Sequence, residues 1–170
     1  HGQVRRSSSF NRFRIEHLRS NPEIYGKKLF LHYSDLNDPT TMRRLLGRLQ
    51  PDELYHLAGQ SHVGLSFDIP ESTCNEIAGA TLSILEICRD LQKKPRIFHA
   101  SSAEVFGNPL ECPQNEESAF RPLSPYGCAK AFATNIAKVY RDAYGLFVCN
   151  GILYNHESPR RGENFVTKKI

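Results

Sequence analysis

No stretch of about 18 consecutive apolar residues, the length a helix needs to cross a bilayer, occurs in this sequence, and no signal-peptide pattern opens it. A helical membrane span is therefore not expected. C-x-x-C spacings are equally missing. Cys74, Cys88, Cys112, Cys128 and Cys149 are odd in number and scattered, which argues against a disulfide framework and against a zinc site. A reducing, cytoplasmic setting fits that pattern, and no metal role is assigned to His32, His56, His62 or His99. Blocks of like charge are absent too. The net charge of +4 is mild, and the pairs Arg43-Arg44 and Arg160-Arg161 stand far apart, so the dense basic face with interleaved aromatics that nucleic acid demands is missing. Paired arginines also suit a phosphorylated small molecule.

What remains is ordinary globular usage, 39% hydrophobic and 24% charged over 170 residues, enough for one domain with a real core. Short β-like runs alternate with helical ones. Strands are expected at 1–4, 28–33, 53–58, 96–100 and 147–153, and helices at 15–19, 40–49, 70–91 and 126–144, with a further helix beginning in 164–170. Such alternation implies parallel βαβ units, hence an α/β fold with an open sheet covered on both faces. Ligands of these sheets sit beyond the carboxyl ends of the strands. The polar loops at 5–8, 35–36, 57–61, 101–104 and 155–161 all follow predicted strands and are expected along that edge.

Two of these stretches carry the chemistry. Ser101-Ser102-Ala103-Glu104 offers hydroxyls and a carboxylate, and Tyr126-Gly127-Cys128-Ala129-Lys130 a phenol and an ammonium. Tyrosine and lysine four residues apart share a helix face, with side-chain bases about 5 to 6 Å apart. A neighbouring ammonium favours phenolate over phenol and is expected to pull the phenol below its usual pKa of about 10. Tyr126 is thereby a candidate general base. Cys128 points away from both, and packing is the expected use of its thiol. Taken singly, Ser102 also reads as a cap, Glu104 as a surface charge, and Tyr126 with Lys130 as an amphipathic pair with solvated tips.

Ser-Ser-Ala-Glu-Val-Phe-Gly from Ser101 together with Tyr-x-x-x-Lys from Tyr126 resembles the extended short-chain dehydrogenases that remodel nucleotide sugars. Within them, Val4 to Asn11, Gln60-Ser61-His62-Val63 and above all Asn155-His156-Glu157-Ser158-Pro159-Arg160-Arg161-Gly162 are similar to the GDP-mannose 4,6-dehydratases. The resemblance implies a Rossmann-like doubly wound parallel sheet. It also implies that Tyr126 deprotonates the hydroxyl on carbon 4 of GDP-mannose as hydride leaves that carbon for a nicotinamide, with Ser102 bonding the same oxygen. Glu104 would then remove the proton on carbon 5, the carbon 6 hydroxyl would leave as water, and hydride would return to carbon 6. Lys130 would hold the nicotinamide ribose.

Arg5, Arg6, Ser7 and Ser8 stand where such a fold meets the 2′-position of the adenosine ribose, and guanidinium groups suit a 2′-phosphate, so NADP is expected over NAD. Asp35 and Leu36 would lie against adenine, and Leu57, Ala58, Gly59, Gln60 and Ser61 along the ribose and diphosphate. Tyr126, His156 and Arg161 complete the expected cofactor contacts, with Asn155, Val166 and Lys169 on the substrate. In the family the arginine- and serine-rich loop reaches a neighbouring subunit, which implies a tetramer; Arg6, Ser9 and Asn11 could serve that contact instead. Ser72 stands where the family carries tyrosine, and Ser102-Ala103 stand for threonine and serine. The family's G-x-x-G-x-x-G turn is absent.

The resemblance divides the chain into a partial NADP-binding Rossmann domain, 1–163, and the start of a substrate-binding region, 164–170. It reads as the middle of a longer enzyme. Two other readings stay open: a sibling nucleotide-sugar epimerase or decarboxylase, and a non-catalytic nucleotide-binding subunit. The isolated 170-residue chain is expected to bind NADP poorly and to turn over GDP-mannose little or not at all. Conversion at a normal enzymatic rate, followed by chromatography of the sugar nucleotide, would overturn that expectation.

Overall fold

The computed structural model describes residues 1–8, 12–162 and 165. The chain forms two compact units, one made by His1–Asp35 with the segment from Asn155 onward, the other by Leu36–Tyr154. In the first, β1 (Gly2–Val4) pairs in parallel with β2 (Leu31–Tyr33), Gly2 opposite Leu31 and Val4 opposite Tyr33. The helix α1 (Phe13–Arg19) lies between them in sequence. Strand β2 is shorter than the expected 28–33. Gly26, at φ +80°, closes a turn in which its amide donates to the Leu29 carbonyl at 2.9 Å, so this backbone is spent before the ladder begins. Because β1 and β2 are parallel, the residues after Val4 and after Tyr33 leave at the same end.

The second unit begins with α2 (Pro39–Leu49). Asp38 caps it by accepting the Thr41 amide at 3.0 Å, Pro39 opens its first turn, and Met42, Leu45 and Leu46 are buried on one side at helical spacing. Three parallel strands follow in the order β3 (Glu53–His56), β4 (Arg96–Ala100) and β5 (Val148–Gly151). Their register aligns Leu54 with Ile97 and Val148, and His56 with His99 and Asn150. Ile97 and Val148 pack into a core with Ile84, Leu85, Cys88, Ala137 and Tyr140. The alternate residues Tyr55, Phe98 and Cys149 turn to the other face. Tyr55 and Cys149 are exposed there. The class is α/β with parallel strands, as expected, and the described strands form two ladders, β1–β2 and β3–β4–β5.

The expected single helix at 70–91 is broken. A short α3 (Leu65–Asp68) precedes α4 (Pro70–Cys74), a wider π turn spans Asn75–Gly79, and α5 (Ala80–Asp90) completes the run. The Ile77 carbonyl inside that turn accepts the Thr81 hydroxyl at 2.7 Å. By contrast α6 (Pro125–Tyr144) is uninterrupted and close to the predicted span. Ser124 accepts the Gly127 amide at 3.0 Å, Pro125 takes the first helical position, and Gly145 ends the helix in the left-handed region at φ +66°. The helix expected in 164–170 lies outside the described residues, Phe165 excepted.

His56 and His99 sit side by side in the register, ring centroids 5.6 Å apart, with only 7% and 2% of their surface exposed. His56 Nε2 bonds the Thr81 hydroxyl at 3.1 Å and His99 Nδ1 bonds Asn150 Oδ1 at 2.9 Å. Burial, with His99 and then Lys130 nearby, pushes His56 down to about 3; burial, with Lys130, pushes His99 down to about 4 despite the opposing bond to Asn150. Both are neutral when folded, whereas the unfolded chain takes up protons from about pH 6.5. Their contribution is therefore complete above that pH and is lost as pH falls toward the folded values, by about 1.4 kcal/mol per pH unit for each histidine. Urea denaturation between pH 7 and pH 4 should show this slope, and His56→Asn with His99→Asn should flatten it.

Candidate active site

The end of β4 turns sharply at Ser102, whose hydroxyl accepts the Glu104 amide at 3.2 Å and caps the single turn Ala103–Val105. That turn is pinned from both sides, by the Ala103 amide on the Leu153 carbonyl and by the Arg121 amide on the Val105 carbonyl, each at 2.9 Å. The first turn of α6 presses onto it at Gly127. A Cβ there would stand 2.8 Å from the Glu104 carbonyl oxygen and 3.0 Å from Pro122 Cβ, so only glycine permits the approach. Tyr126 and Lys130 are thereby delivered next to Ser102 and Glu104.

Tyr126 and Lys130 are buried, at 7% and 8% exposure, while Glu104 is exposed. The Lys130 ammonium donates to the Ala100 carbonyl at 2.7 Å and lies 5.8 Å from the centre of the Tyr126 ring. Burial pushes Lys130 down to about 8. Tyr126 is shifted up, not down: burial raises it most, the Ser102 hydroxyl pulls it back, and the Glu104 charge raises it again. The expected priming of the phenol by its lysine is thus corrected. Desolvation of the phenolate dominates, the ammonium is directed at a strand carbonyl instead of the ring oxygen, and Ser102 is the group that favours the ionised ring. Cys128 is exposed, so its expected packing role is corrected as well.

Leu57, Ala58, Gly59, Gln60 and Ser61 leave β3 at the same end of the three-stranded sheet as Ser102 leaves β4, the strands being parallel. Gly59 holds φ +149°, and a Cβ on it would touch Ile77 at 3.4 Å. Gln60 is half-buried and folds its own loop, donating to the His62 carbonyl at 2.9 Å and to the Thr73 hydroxyl at 3.3 Å; the other four are exposed. Ser72 is exposed on α4.

In the other unit Arg5, Arg6, Ser7 and Ser8 follow β1 and are exposed, and Asp35 follows β2 half-buried. Leu36 belongs to the larger unit and packs on its core. Asn155 and His156 are exposed. Arg161 is engaged inside its own loop: it pairs with Glu157 at 2.8 Å, donates to the His156 carbonyl and covers the Phe165 ring at 4.3 Å. Val166, Lys169, Ser9 and Asn11 lie outside the described residues. Among the described residues no group of three or more His, Cys, Asp or Glu is placed to hold a metal ion, and no helix is long and apolar enough to cross a membrane.

Sequence reasoning missed Gly127 as the point of helix approach and the Ala100 carbonyl as the lysine's partner. The first had a signal in Ser124-Pro125, a cap followed by a first-turn proline, which fixes where the helix starts. The second had none, because a backbone carbonyl has no letter in the sequence.

The profile of the family described as GDP-mannose 4,6 dehydratase matches residues 1–170. The chain belongs to that family. A GDP-mannose 4,6-dehydratase of Yersinia enterocolitica serotype O:8 is 50% identical over 172 residues, covering 100% of this chain and 46% of the relative. The chain spans about half the length of the curated relatives it matches. Among solved structures, a dTDP-glucose 4,6-dehydratase from Streptomyces venezuelae with NAD bound aligns with TM-score 0.82 over 98% of this chain and 50% of that one, at 23% identity, a likeness of fold. RMD from Pseudomonas aeruginosa complexed with NADPH aligns with TM-score 0.73 at 27% identity, over 89% of this chain and 52% of that one. The neighbours of this dehydratase-family chain thus include nicotinamide-binding nucleotide-sugar enzymes.

Gly127→Ala should cost about 1 to 3 kcal/mol by overpacking against the Glu104 carbonyl, read as a lower midpoint in chemical denaturation. Ser124→Ala, which only removes the cap, should cost about 1 kcal/mol.

Proposed function

We propose that the protein acts in the dehydration of GDP-mannose to GDP-4-keto-6-deoxy-mannose, with Ser102, Glu104, Tyr126 and Lys130 as its working side chains. The observation that carries this reading is the meeting of two carboxylate- and hydroxyl-bearing residues with one phenol. Ser102 and Glu104 both act on the Tyr126 ring, in a chain of the dehydratase family. An epimerase needs no acid or base at carbon 5, whereas an eliminating enzyme does, and Glu104 meets that need.

The roles follow from the local chemistry. Tyr126 takes the proton of the carbon 4 hydroxyl, and Ser102 holds that oxygen while favouring the phenolate. Lys130, buried and bonded to Ala100, presents a fixed positive charge from below. Glu104, exposed in its turn, removes the proton from carbon 5 once carbon 4 is a ketone and passes it to the departing carbon 6 hydroxyl, which leaves as water; as hydride reaches carbon 6, Tyr126 gives its proton to carbon 5. A bound nicotinamide dinucleotide supplies the acceptor for the carbon 4 hydride and its return to carbon 6.

Each unit by itself holds residues suited to such a group. Gly59 keeps the backbone after β3 free of a side chain, and Lys130 offers a buried ammonium. Arg5, Arg6, Ser7 and Ser8 form an exposed run of donors suited to a 2′-phosphate, which supports NADP over NAD. The same loop supports a contact with a neighbouring subunit and, with it, a tetramer.

The test is turnover of GDP-mannose by the full-length gene product with NADP, read by the appearance of the 4-keto sugar. Tyr126→Phe should lower kcat by about 10²- to 10⁴-fold. Glu104→Gln should lower product formation over the same range yet still reduce bound cofactor when GDP-mannose is added, seen by nicotinamide absorbance. Turnover of UDP sugars in place of GDP-mannose would shift the reading to a sibling epimerase. Full activity in Tyr126→Phe with Glu104→Gln would remove the catalytic reading altogether.

A further inference from the structure

Beneath the four working side chains lies a polar layer, buried at Ser101, Thr134 and His99 and half-buried at Asn150, that the proposed reaction leaves unused. It joins one turn of α6, Lys130 to Thr134, to the ends of β4 and β5. The Thr134 hydroxyl donates to the Lys130 carbonyl at 2.8 Å. Its one proton is thereby committed, so in the 2.6 Å contact with Ser101 the serine is the donor. Asn150 Nδ2 donates to the Thr134 carbonyl at 3.1 Å, which leaves Asn150 Oδ1 to accept from His99 Nδ1 at 2.9 Å. His99 is then the neutral tautomer with its proton on Nδ1. Its Nε2 is a bare acceptor, buried without a partner among the described residues. Ser101, Thr134 and His99 are 3%, 8% and 2% exposed.

Cohesion alone does not require this layer, because a buried polar group replaced together with its partner by apolar groups of the same shape costs little. What directional bonds fix is register. Lys130 lies one helical turn before Thr134, and Ser102 is the residue after Ser101. The chain His99, Asn150, Thr134 and Ser101 therefore ties the two elements that carry the phenol, the ammonium and the serine hydroxyl, and does so from the side facing the protein interior. Without it α6 and the end of β4 are coupled by the single Lys130–Ala100 bond, through a flexible side chain, and by apolar packing, which tolerates sliding by a fraction of an ångström.

We propose that Thr134 and Asn150, with Asn150 locked by His99, are positioning residues that hold Lys130 and Ser102 in one working geometry. The catalytic consequence rests on the dehydration reading; the positional one does not. In the full-length gene product, Thr134→Val keeps the volume and removes the hydroxyl, and should lower kcat by about 10- to 100-fold with KM for GDP-mannose changed by less than about threefold. Thr134→Ser keeps the hydroxyl and should stay within about threefold of the parent. Ser101→Ala and Asn150→Leu, each cutting a different link, should show the same kcat-selective loss.

A second readout needs no turnover: the titration of the Lys130 ammonium, followed by carbon-13 NMR of labelled lysine and assigned with Lys130→Arg. Displacement of the Ala100 carbonyl should move this titration to lower pH in Thr134→Val, Ser101→Ala and Asn150→Leu, and leave it in place in Thr134→Ser. An unchanged kcat and an unchanged lysine titration in folded Thr134→Val and Ser101→Ala would overturn the proposal, as would an equal loss in Thr134→Ser. If the parent protein fails to turn over GDP-mannose, the dehydration reading falls, and the lysine titration alone decides the positional one.

Discussion

An ammonium can be kept in a place from which water is nearly excluded only if something else accepts its protons, and for Lys130 that acceptor is the last carbonyl of β4. This bond commits the helix to the strand at the level of the site. At the same level the first turn of α6 meets the capped turn after Ser102, through the close approach of Gly127 to the Glu104 carbonyl. Burial that makes this possible also sets the site's electrostatics. The phenol loses solvation, the ammonium releases its proton more readily than a free lysine, and the serine hydroxyl offsets part of the cost of ionising the ring.

Much of the fold was legible because its signals are local. Helices α2 and α6 announce themselves through a cap, a proline at the first position and buried residues at helical spacing, and both begin within one residue of the predicted start. Strands β3 to β5 were found from their β-like composition, β4 at both its ends and β3 and β5 with ends overestimated by one or two residues, since composition persists after the hydrogen bonding has stopped. The π turn after Cys74 had no such signal. It arises from backbone hydrogen bonds chosen by tertiary packing, and nothing in Asn75-Glu76-Ile77-Ala78-Gly79 demands it.

The site was legible as residue types and not as electrostatics. A tyrosine and a lysine four apart do share a face, but the sign of the phenol's shift depends on burial and on where the ammonium's proton points. Both are properties of the packed pair, not of its spacing. Arg161 makes the same point: read from its motif it is a donor for a ligand, while in the structure its guanidinium is engaged by Glu157 and the His156 carbonyl of its own loop. The exposed run Arg5 to Ser8, by contrast, stands as the sequence suggested, on the surface after a strand.

The widened turn between α4 and α5 shifts the phase of everything on one side of it against the other by roughly one residue, about 100° of rotation. Positions on α4, such as Thr73 against the loop after β3 and Ser72 facing outward, consequently follow a different stripe from the sheet-packing residues Ile84, Leu85 and Cys88. The outward side of α4, where Ser72 stands exposed, can thus exchange side chains while the fully buried Thr73 and the sheet-packing stripe stay fixed, a decoupling of tunable boundary from scaffold that a straight helix across 70–91 would not provide.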